Sequence, residues 1–316
     1  MRKVAGIGEE NQIRDRIKKS IHEALKQGIK TTIWLLKLTI PVSFAVLLLN
    51  YFGILDMIAG VTAPVFKLVG LPGVAAVVLI TSIFTNIYSV VAVLTTLAIP
   101  EREGTILAVM CLVAHNLIIE TAIQKKTGSS ATRMVIVRLV GAFLIAWFLN
   151  LVLPGSFQDI ALNENKNTSS FIPVLTDWSI DIFYTILKII ILVNLLMILQ
   201  KLLNEFKLID YLVRPFAPLM RLFGLSENTT FLWIVANTLG LAYGGAVMIS
   251  ETEDGKLSKK ESDLLNHHIA VSHSQLEDPL LFVTLNYNYL ILVFPRMLLA
   301  LFFVWLRKLE IYFRKE

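Results

Sequence analysis

Two apolar stretches of the sequence each contain a cluster of polar and ionisable residues. The members are His115, Asn116 and Glu120 in the first stretch, and His273, Gln275, Glu277 and Asp278 in the second. A polar group in apolar surroundings costs free energy unless it finds a partner or water. Carboxylate, amide and imidazole groups together suit a neutral solute that carries several hydroxyl or amide groups. The two clusters therefore predict a substrate-binding site.

A polar interruption also lies in the apolar segment before each cluster. Asn86 lies within a polar run at 85–89, and Asn237 is followed by three glycines between 240 and 245. Glycine lets neighbouring helices approach closely, so packing explains these positions as well as ligand contact does. We include Asn86 and Asn237 among the substrate-binding candidates.

Two other interpretations of the clusters stay open. The polar groups could pair only with one another and with Arg138 and Arg296, which would lock the fold together without binding a solute. His273 and Glu277 are four residues apart, so on a continuous helix they would share a face and could bind a divalent metal.

The sequence contains no pattern typical of a catalytic site. It has no Walker loop, GxSxG or HExxH sequence, and Cys111, its single cysteine, lies in an apolar run where a thiol packs as an inert side chain. His267 and His268 lie beside a charged turn, where they are expected to face water. We therefore predict no enzyme, no metal ligand and no cofactor, with a coupling cation such as sodium or a proton as an open alternative.

The composition indicates that the clusters lie in a membrane protein. Of the 316 residues, 55% are hydrophobic and 17% are charged, whereas proteins average about 25% charged residues. The longest apolar runs are 35–51, 74–100, 139–157 and 280–306. A helix needs about 20 apolar residues to span a bilayer. The net charge of +5 comes mainly from basic ends, which suits a lipid surface, and no motif indicates a nucleic-acid partner.

The two halves of the sequence are related by an internal duplication. Residues 54–71 recur as 208–225, each 154 positions later. After a longer turn in the second half the shift becomes 158, and the equivalent pairs are His115 with His273, Glu120 with Asp278 and Arg138 with Arg296. The chain is therefore predicted to fold as two related helical repeats.

The charge distribution predicts how the repeats are oriented. Lys and Arg are frequent at both ends, whereas the central linker is mainly acidic. By the positive-inside rule both termini are cytoplasmic and the linker is outside, so each half crosses an odd number of times and the halves are inverted. The predicted segments are a cytoplasmic amphipathic helix at 1–31, a first repeat at 32–153, an extracytoplasmic linker at 154–178, a second repeat at 179–310 and a basic cytoplasmic tail at 311–316.

Two further predictions concern helix continuity. Residues 9–30 alternate apolar and basic positions at helical spacing, which is typical of a helix lying on a membrane surface. Pro279 disfavours helix for the residue before it, so the second polar segment is predicted to break at Asp278. The fold class is then an all-α integral membrane protein: two inverted-topology repeats with broken helices, preceded by an amphipathic N-terminal helix.

With these residues the chain resembles the Gate, or nucleoside-recognition, family of bacterial membrane proteins. The resemblance covers roughly 33–153 and 179–308 and rests on the Ala-Pro…Gly-Leu block, the polar-interrupted span and the histidine-containing broken segment. Residues 274–281 are also similar to the Gln-Thr-Glu-Ala-Pro-Leu hairpin motif of concentrative nucleoside transporters, in which Gln and Glu contact the nucleoside. That similarity implies ligand contact by Gln275 and Glu277, although Leu276 and Asp278 depart from the motif.

The predicted function is a transporter-like membrane protein that recognises or moves a nucleoside or similar small polar solute at a midplane site between the repeats. The alternatives are a non-transporting scaffold of the Gate family and a divalent-metal transporter, because Gate regions also occur in ferrous-iron transporters. The predicted location is the bacterial cytoplasmic (inner) membrane, with multiple spans, and the resemblance also suggests a homodimer.

Overall fold

The computed structural model describes residues 2–97, 99–155 and 171–314, and its elements are helices joined by short turns. The helices of the first half are α1 (Arg2–Tyr51), α2 (Ile54–Lys67), α3 (Ala75–Phe84), α4 (Ile87–Leu97), α5 (Glu101–Ala114), α6 (Leu117–Lys126) and α7 (Ala131–Val152). Those of the second half are α8 (Phe171–Glu205), α9 (Leu208–Leu222), α10 (Thr230–Thr238), α11 (Gly240–Glu253), α12 (Lys259–Ser272), α13 (Glu277–Val283) and α14 (Tyr289–Arg314). Each half thus consists of a long first helix, five short helices and a long last helix.

Five helical segments within the described chain are long and apolar enough to cross a membrane. They are Gln12–Tyr51, Glu101–Lys126, Ala131–Val152, Phe171–Glu205 and Tyr289–Phe313. Large apolar side chains on their outer faces are exposed, including Trp34, Leu151 and Phe294, each about three-fifths accessible. Exposed apolar surface on this scale is compatible with lipid and not with water. The prediction of an all-α membrane protein is confirmed.

The central helices of the two halves are enclosed by protein. All residues of α5 from Glu103 to Ala114 are buried, and so are those of α12 from Ser262 to Ser272. The longer helices α7 and α14 pack against them. Polar and irregular backbone is tolerated at membrane depth where protein surrounds it, so a break at the end of α5 or α12 is compatible with a membrane.

Both halves contain two broken helices. The interruptions lie between α3 and α4, α5 and α6, α10 and α11, and α12 and α13. Backbone groups released by one break bond to the other: Asn116 N–H donates to the carbonyl oxygens of Ser82 (2.8 Å) and Thr85 (2.9 Å). In the second half Ser274 N–H donates to Ala236 O (3.0 Å) and Leu276 N–H to Asn237 O (3.2 Å). The breaks are therefore paired within each half.

The predicted position of the break in the second polar segment is wrong. The interruption lies at 273–276, and Asp278 is helical, in the first turn of α13. Pro279 follows within that turn, where a missing N–H costs no internal hydrogen bond. The proline therefore helps to start α13 and does not end the preceding helix.

The N-terminal amphipathic helix is not a separate element. Helix α1 continues without interruption from Arg2 to Tyr51 and packs along α8. Arg16 Nε lies 2.9 Å from Glu205 Oε1, and Lys201 Nζ lies 2.7 Å from Glu23 Oε2. The polar face of α1 is therefore held by α8 through ion pairs.

The predicted linker and tail are partly helical. Helix α8 begins at Phe171, before the predicted end of the linker, and α14 extends to Arg314. Residues 156–170 and 315–316 of the predicted linker and tail lie outside the described chain.

Candidate functional site

The histidines of the two polar clusters meet inside the protein. The Nε2 atoms of His115 and His273 lie 3.4 Å apart, although the residues are 158 positions apart in the sequence. Glu120 Oε1 lies 3.1 Å from His273 Nε2 and 3.4 Å from His115 Nε2. All three side chains are buried. The clusters of the two halves thus form one polar centre.

The helix breaks direct these side chains inwards. Helix α5 ends before His115 and helix α12 before His273, and both histidines have an extended backbone. The residues that follow, Asn116 and Ser274, are left-handed with φ of 50° and 51°. Residues other than glycine rarely adopt this conformation, and strained backbone persists only where its surroundings enforce it. The same backbone path in both halves places the two imidazoles opposite each other.

Two buried arginines bind the broken ends of α5 and α12 in the same way. Arg138 on α7 donates from Nε to Val113 O (2.8 Å) and from Nη2 to His115 O (2.5 Å). Arg296 on α14 donates from Nε to Val271 O (3.1 Å) and from Nη2 to His273 O (2.7 Å). Each guanidinium replaces the hydrogen bonds that the helix loses at its C-terminus, and the positive charge lies at the negative end of the helix dipole.

The third nitrogen of each arginine distinguishes the halves. Arg138 Nη1 forms an ion pair with Glu120 Oε2 at 2.7 Å. Neither Nη1 atom makes a hydrogen bond within the described chain, and there Arg296 has no ion pair corresponding to that of Arg138. Asp278, the equivalent of Glu120, instead brings Oδ2 to 3.3 Å from His115 Nε2. The predicted pairing of these acids with the arginines is therefore observed in the first half only.

Glu277 faces away from this polar centre. Its Oε1 accepts a hydrogen bond from Tyr88 Oη on α4 (2.8 Å), and its Oε2 lies 3.5 Å from Gln200 Nε2 on α8. The interruption at 273–276 separates it from His273, so the helical face that these two residues were expected to share does not exist. Glu277 is half-buried, whereas the polar centre is almost completely enclosed.

Next to Glu277, between α1, α8 and the α10–α11 break, lies a cavity of about 570 Å³. It is lined by Ala24, Gln27, Met197, Gln200, Lys201, Asn204, Glu205 and Leu239. Small-molecule sites in proteins typically have volumes of about 300–1,000 Å³. The lining combines three side-chain amides with two charged groups, and Gln200 connects it to Glu277.

The remaining candidates are tied to backbone groups. Gln275 Nε2 donates to Ser272 O (2.7 Å), and Asn237 Nδ2 donates to Trp233 O (2.8 Å). Asn86 Oδ1 accepts from Ser89 N (3.1 Å) at the start of α4, and Asn116 provides the left-handed residue after α5. The Oε1 atom of Gln275 and the Oδ1 atom of Asn237 have no hydrogen-bond partner within the described chain. These four residues shape the breaks around the polar centre.

His267 and His268 are buried, contrary to the expectation that they face water. His267 Nδ1 contacts Asp263 O (2.7 Å), and His268 Nδ1 contacts Ser272 Oγ (2.8 Å). They pack within α12 and lie outside the polar centre.

Sequence reasoning missed Tyr88, Gln200, Gln27 and Asn204. Tyr88 lies within the polar run 85–89, whereas Gln200 stands at the end of a long apolar run on α8. An amide at such a position is a signal that could have been read, because polar groups within spans commonly face a cavity or another helix.

Comparisons with known proteins agree with the membrane architecture. Residues 32–143 match the Gate family model, whose description is nucleoside recognition. The chain is 30% identical over 274 residues to the uncharacterized membrane protein YvoD of Bacillus subtilis (strain 168), an alignment that covers 85% of this chain and 88% of that protein. No solved structure matches the chain. The chain belongs to the Gate, or nucleoside-recognition, family of membrane proteins.

Proposed function

We propose that the protein recognises a nucleoside or similar neutral polar solute and moves it across the bacterial inner membrane. The observation that carries the proposal is the contact between Glu277 and Gln200, which joins the acid that resembles the Glu of the nucleoside-transporter motif to an amide-lined cavity. A carboxylate accepts hydrogen bonds from ribose hydroxyls, and side-chain amides offer both a donor and an acceptor to the edge of a base.

The charges around the cavity favour a neutral solute. Lys201 and Glu205 both line it, but Lys201 is paired with Glu23 and Glu205 with Arg16. Because each charge already has a counter-ion, neither is available to balance a charged ligand. The amides of Gln27, Gln200 and Asn204 then supply the recognition.

The broken helices beside the cavity support movement of the solute. Leu239, at the α10–α11 break, lines the cavity, and Gly240 after it has a φ of 81°. The carbonyl oxygens of Ala236 and Asn237, at the end of α10, accept hydrogen bonds from backbone N–H groups of the α12–α13 break. Repeats that rock against each other around such a site are typical of secondary transporters. The inverted orientation of the repeats and the cytoplasmic position of both termini belong to this proposal.

The proposal is tested by ligand-induced thermal stabilisation of the purified protein in detergent. A ligand at a hundredfold its dissociation constant stabilises the folded state by about 2.7 kcal/mol, so a nucleoside that binds raises the apparent melting temperature. We expect Glu277→Gln to abolish this rise and to abolish uptake of the same nucleoside into proteoliposomes. The matched control is Glu253→Gln, at an exposed position on α11, which should retain both.

An unaltered nucleoside response in Glu277→Gln would contradict the role of this residue. If no nucleoside, base or amino acid stabilises the wild-type protein, the scaffold alternative gains support.

A further inference from the structure

The polar centre contains more hydrogen-bond acceptors than its own atoms can satisfy. His115 Nδ1 lies 3.2 Å from Leu112 O, and His273 Nδ1 lies 2.8 Å from Ile269 O. A carbonyl oxygen only accepts, so both Nδ1 atoms carry the proton. In a neutral imidazole the other nitrogen, Nε2, is then a bare acceptor. Both Nε2 atoms therefore direct lone pairs at each other and at Glu120 Oε1.

A single proton cannot satisfy this arrangement. If His115 is protonated, the lone pair of His273 Nε2 still lies 3.1 Å from a Glu120 oxygen. If His273 is protonated, the lone pair of His115 Nε2 still lies 3.3 Å from Asp278 Oδ2. One divalent cation bound between His115 Nε2, His273 Nε2 and Glu120 Oε1 would turn the contacts among these three atoms into edges between ligands of the same ion.

The distances are close to those of such a site. Ligand atoms about 2.0–2.2 Å from a tetrahedral zinc ion lie about 3.3–3.6 Å from one another. The His115 Nε2–His273 Nε2 and His115 Nε2–Glu120 Oε1 edges, both 3.4 Å, fall within that range, and the His273 Nε2–Glu120 Oε1 edge, 3.1 Å, lies just below it. We propose that these three atoms bind a divalent transition-metal ion of the zinc class at the contact between the two halves of the chain.

The surroundings of the three ligands match those of metal sites. Metal-binding histidines typically donate their second ring nitrogen to a backbone carbonyl, and metal-binding carboxylates are held by a further polar partner. Both histidines here make that contact, and Glu120 Oε2 is held by Arg138. Three protein ligands leave a fourth position, and Asp278, 3.3 Å from His115 Nε2, lies beside it. The site is separate from the Glu277 cavity, so this proposal does not rest on nucleoside recognition.

The test uses the full-length protein in detergent, treated with chelator and then titrated with Co²⁺, whose visible absorption is strong in tetrahedral sites. We expect one Co²⁺ per chain, displaced by Zn²⁺, and a Zn²⁺-dependent rise in the apparent melting temperature. His115→Gln and His273→Gln should each weaken binding by more than about 100-fold, since losing even a second-shell partner costs about 10–100-fold. The control is His22→Ala, an exposed histidine on α1.

Two results would overturn the proposal. One is wild-type protein that takes up no Co²⁺ or Zn²⁺ after chelation, which would indicate that protons satisfy the polar centre. The other is metal binding that His22→Ala removes and the two centre variants retain. If a variant does not fold, the Co²⁺ titration of the wild-type protein still decides whether the protein takes up a metal ion.

Discussion

Replacing Arg138 with methionine should destabilise the protein more than the same change at Arg296, and the difference can be worked out from their contacts. Each arginine donates to two carbonyl oxygens at the end of a broken helix. Hydrogen bonds to charged groups contribute about 1.5–3 kcal/mol each, so either change costs about 3–6 kcal/mol. Arg138 alone also holds Glu120, at 2.7 Å, and removing one member of a buried ion pair costs a further 3–5 kcal/mol or so.

The assay is unfolding of the two variants in mixed micelles, followed by tryptophan fluorescence, with Glu120→Gln as a third variant. In the double variant Arg138→Met/Glu120→Gln, the buried carboxylate is gone, so part of the loss should be recovered. The two changes then show a coupling energy of the kind measured for residues in contact.

Equal destabilisation by Arg138→Met and Arg296→Met would contradict the stabilising role of the Arg138–Glu120 ion pair. It would mean that Glu120 gains no stability from its arginine, and that the backbone contacts alone account for both side chains. An additive double variant would lead to the same conclusion.

Two other predictions concern local packing and capping. Gly73→Ala should lower the melting temperature sharply because a Cβ there would overlap the backbone carbonyl of Ala59. Gly60→Ala, at a position of α2 with open space around it, should instead stabilise the protein by about 0.5–1 kcal/mol through reduced backbone freedom. Thermal unfolding of both variants checks this prediction, and equal effects would contradict it. Ser258→Ala removes the capping-box hydroxyl that accepts a hydrogen bond from Glu261 N–H at 3.2 Å. It should lower the free energy of unfolding by about 0.5–2 kcal/mol and increase amide hydrogen exchange at the start of α12. Unchanged exchange there would show that the cap is dispensable.

The paired polar centre could be predicted in part from the sequence. The shift of 158 residues identified His115 with His273 and Arg138 with Arg296, and the pairs do have equivalent contacts. The sequence also predicted broken helices, because polar residues in apolar runs need enclosed, irregular backbone. The second break was misplaced because a proline can either end the helix before it or lie in the first turn of a new helix. The turn at 273–276, after which α13 starts, shows that Pro279 is of the second kind.

Apolar segment lengths and residue order do not depend on how the chain folds, so they are enough to predict a membrane protein with two related halves. The contacts between helices are needed to see that Glu277 binds Tyr88 and Gln200 outside the polar centre, and that His115 and His273 meet. The physical reason is that after a helix break the direction of a side chain depends on one or two backbone angles, here the left-handed Asn116 and Ser274. Those angles are set by hydrogen bonds to other helices, which helical periodicity does not contain.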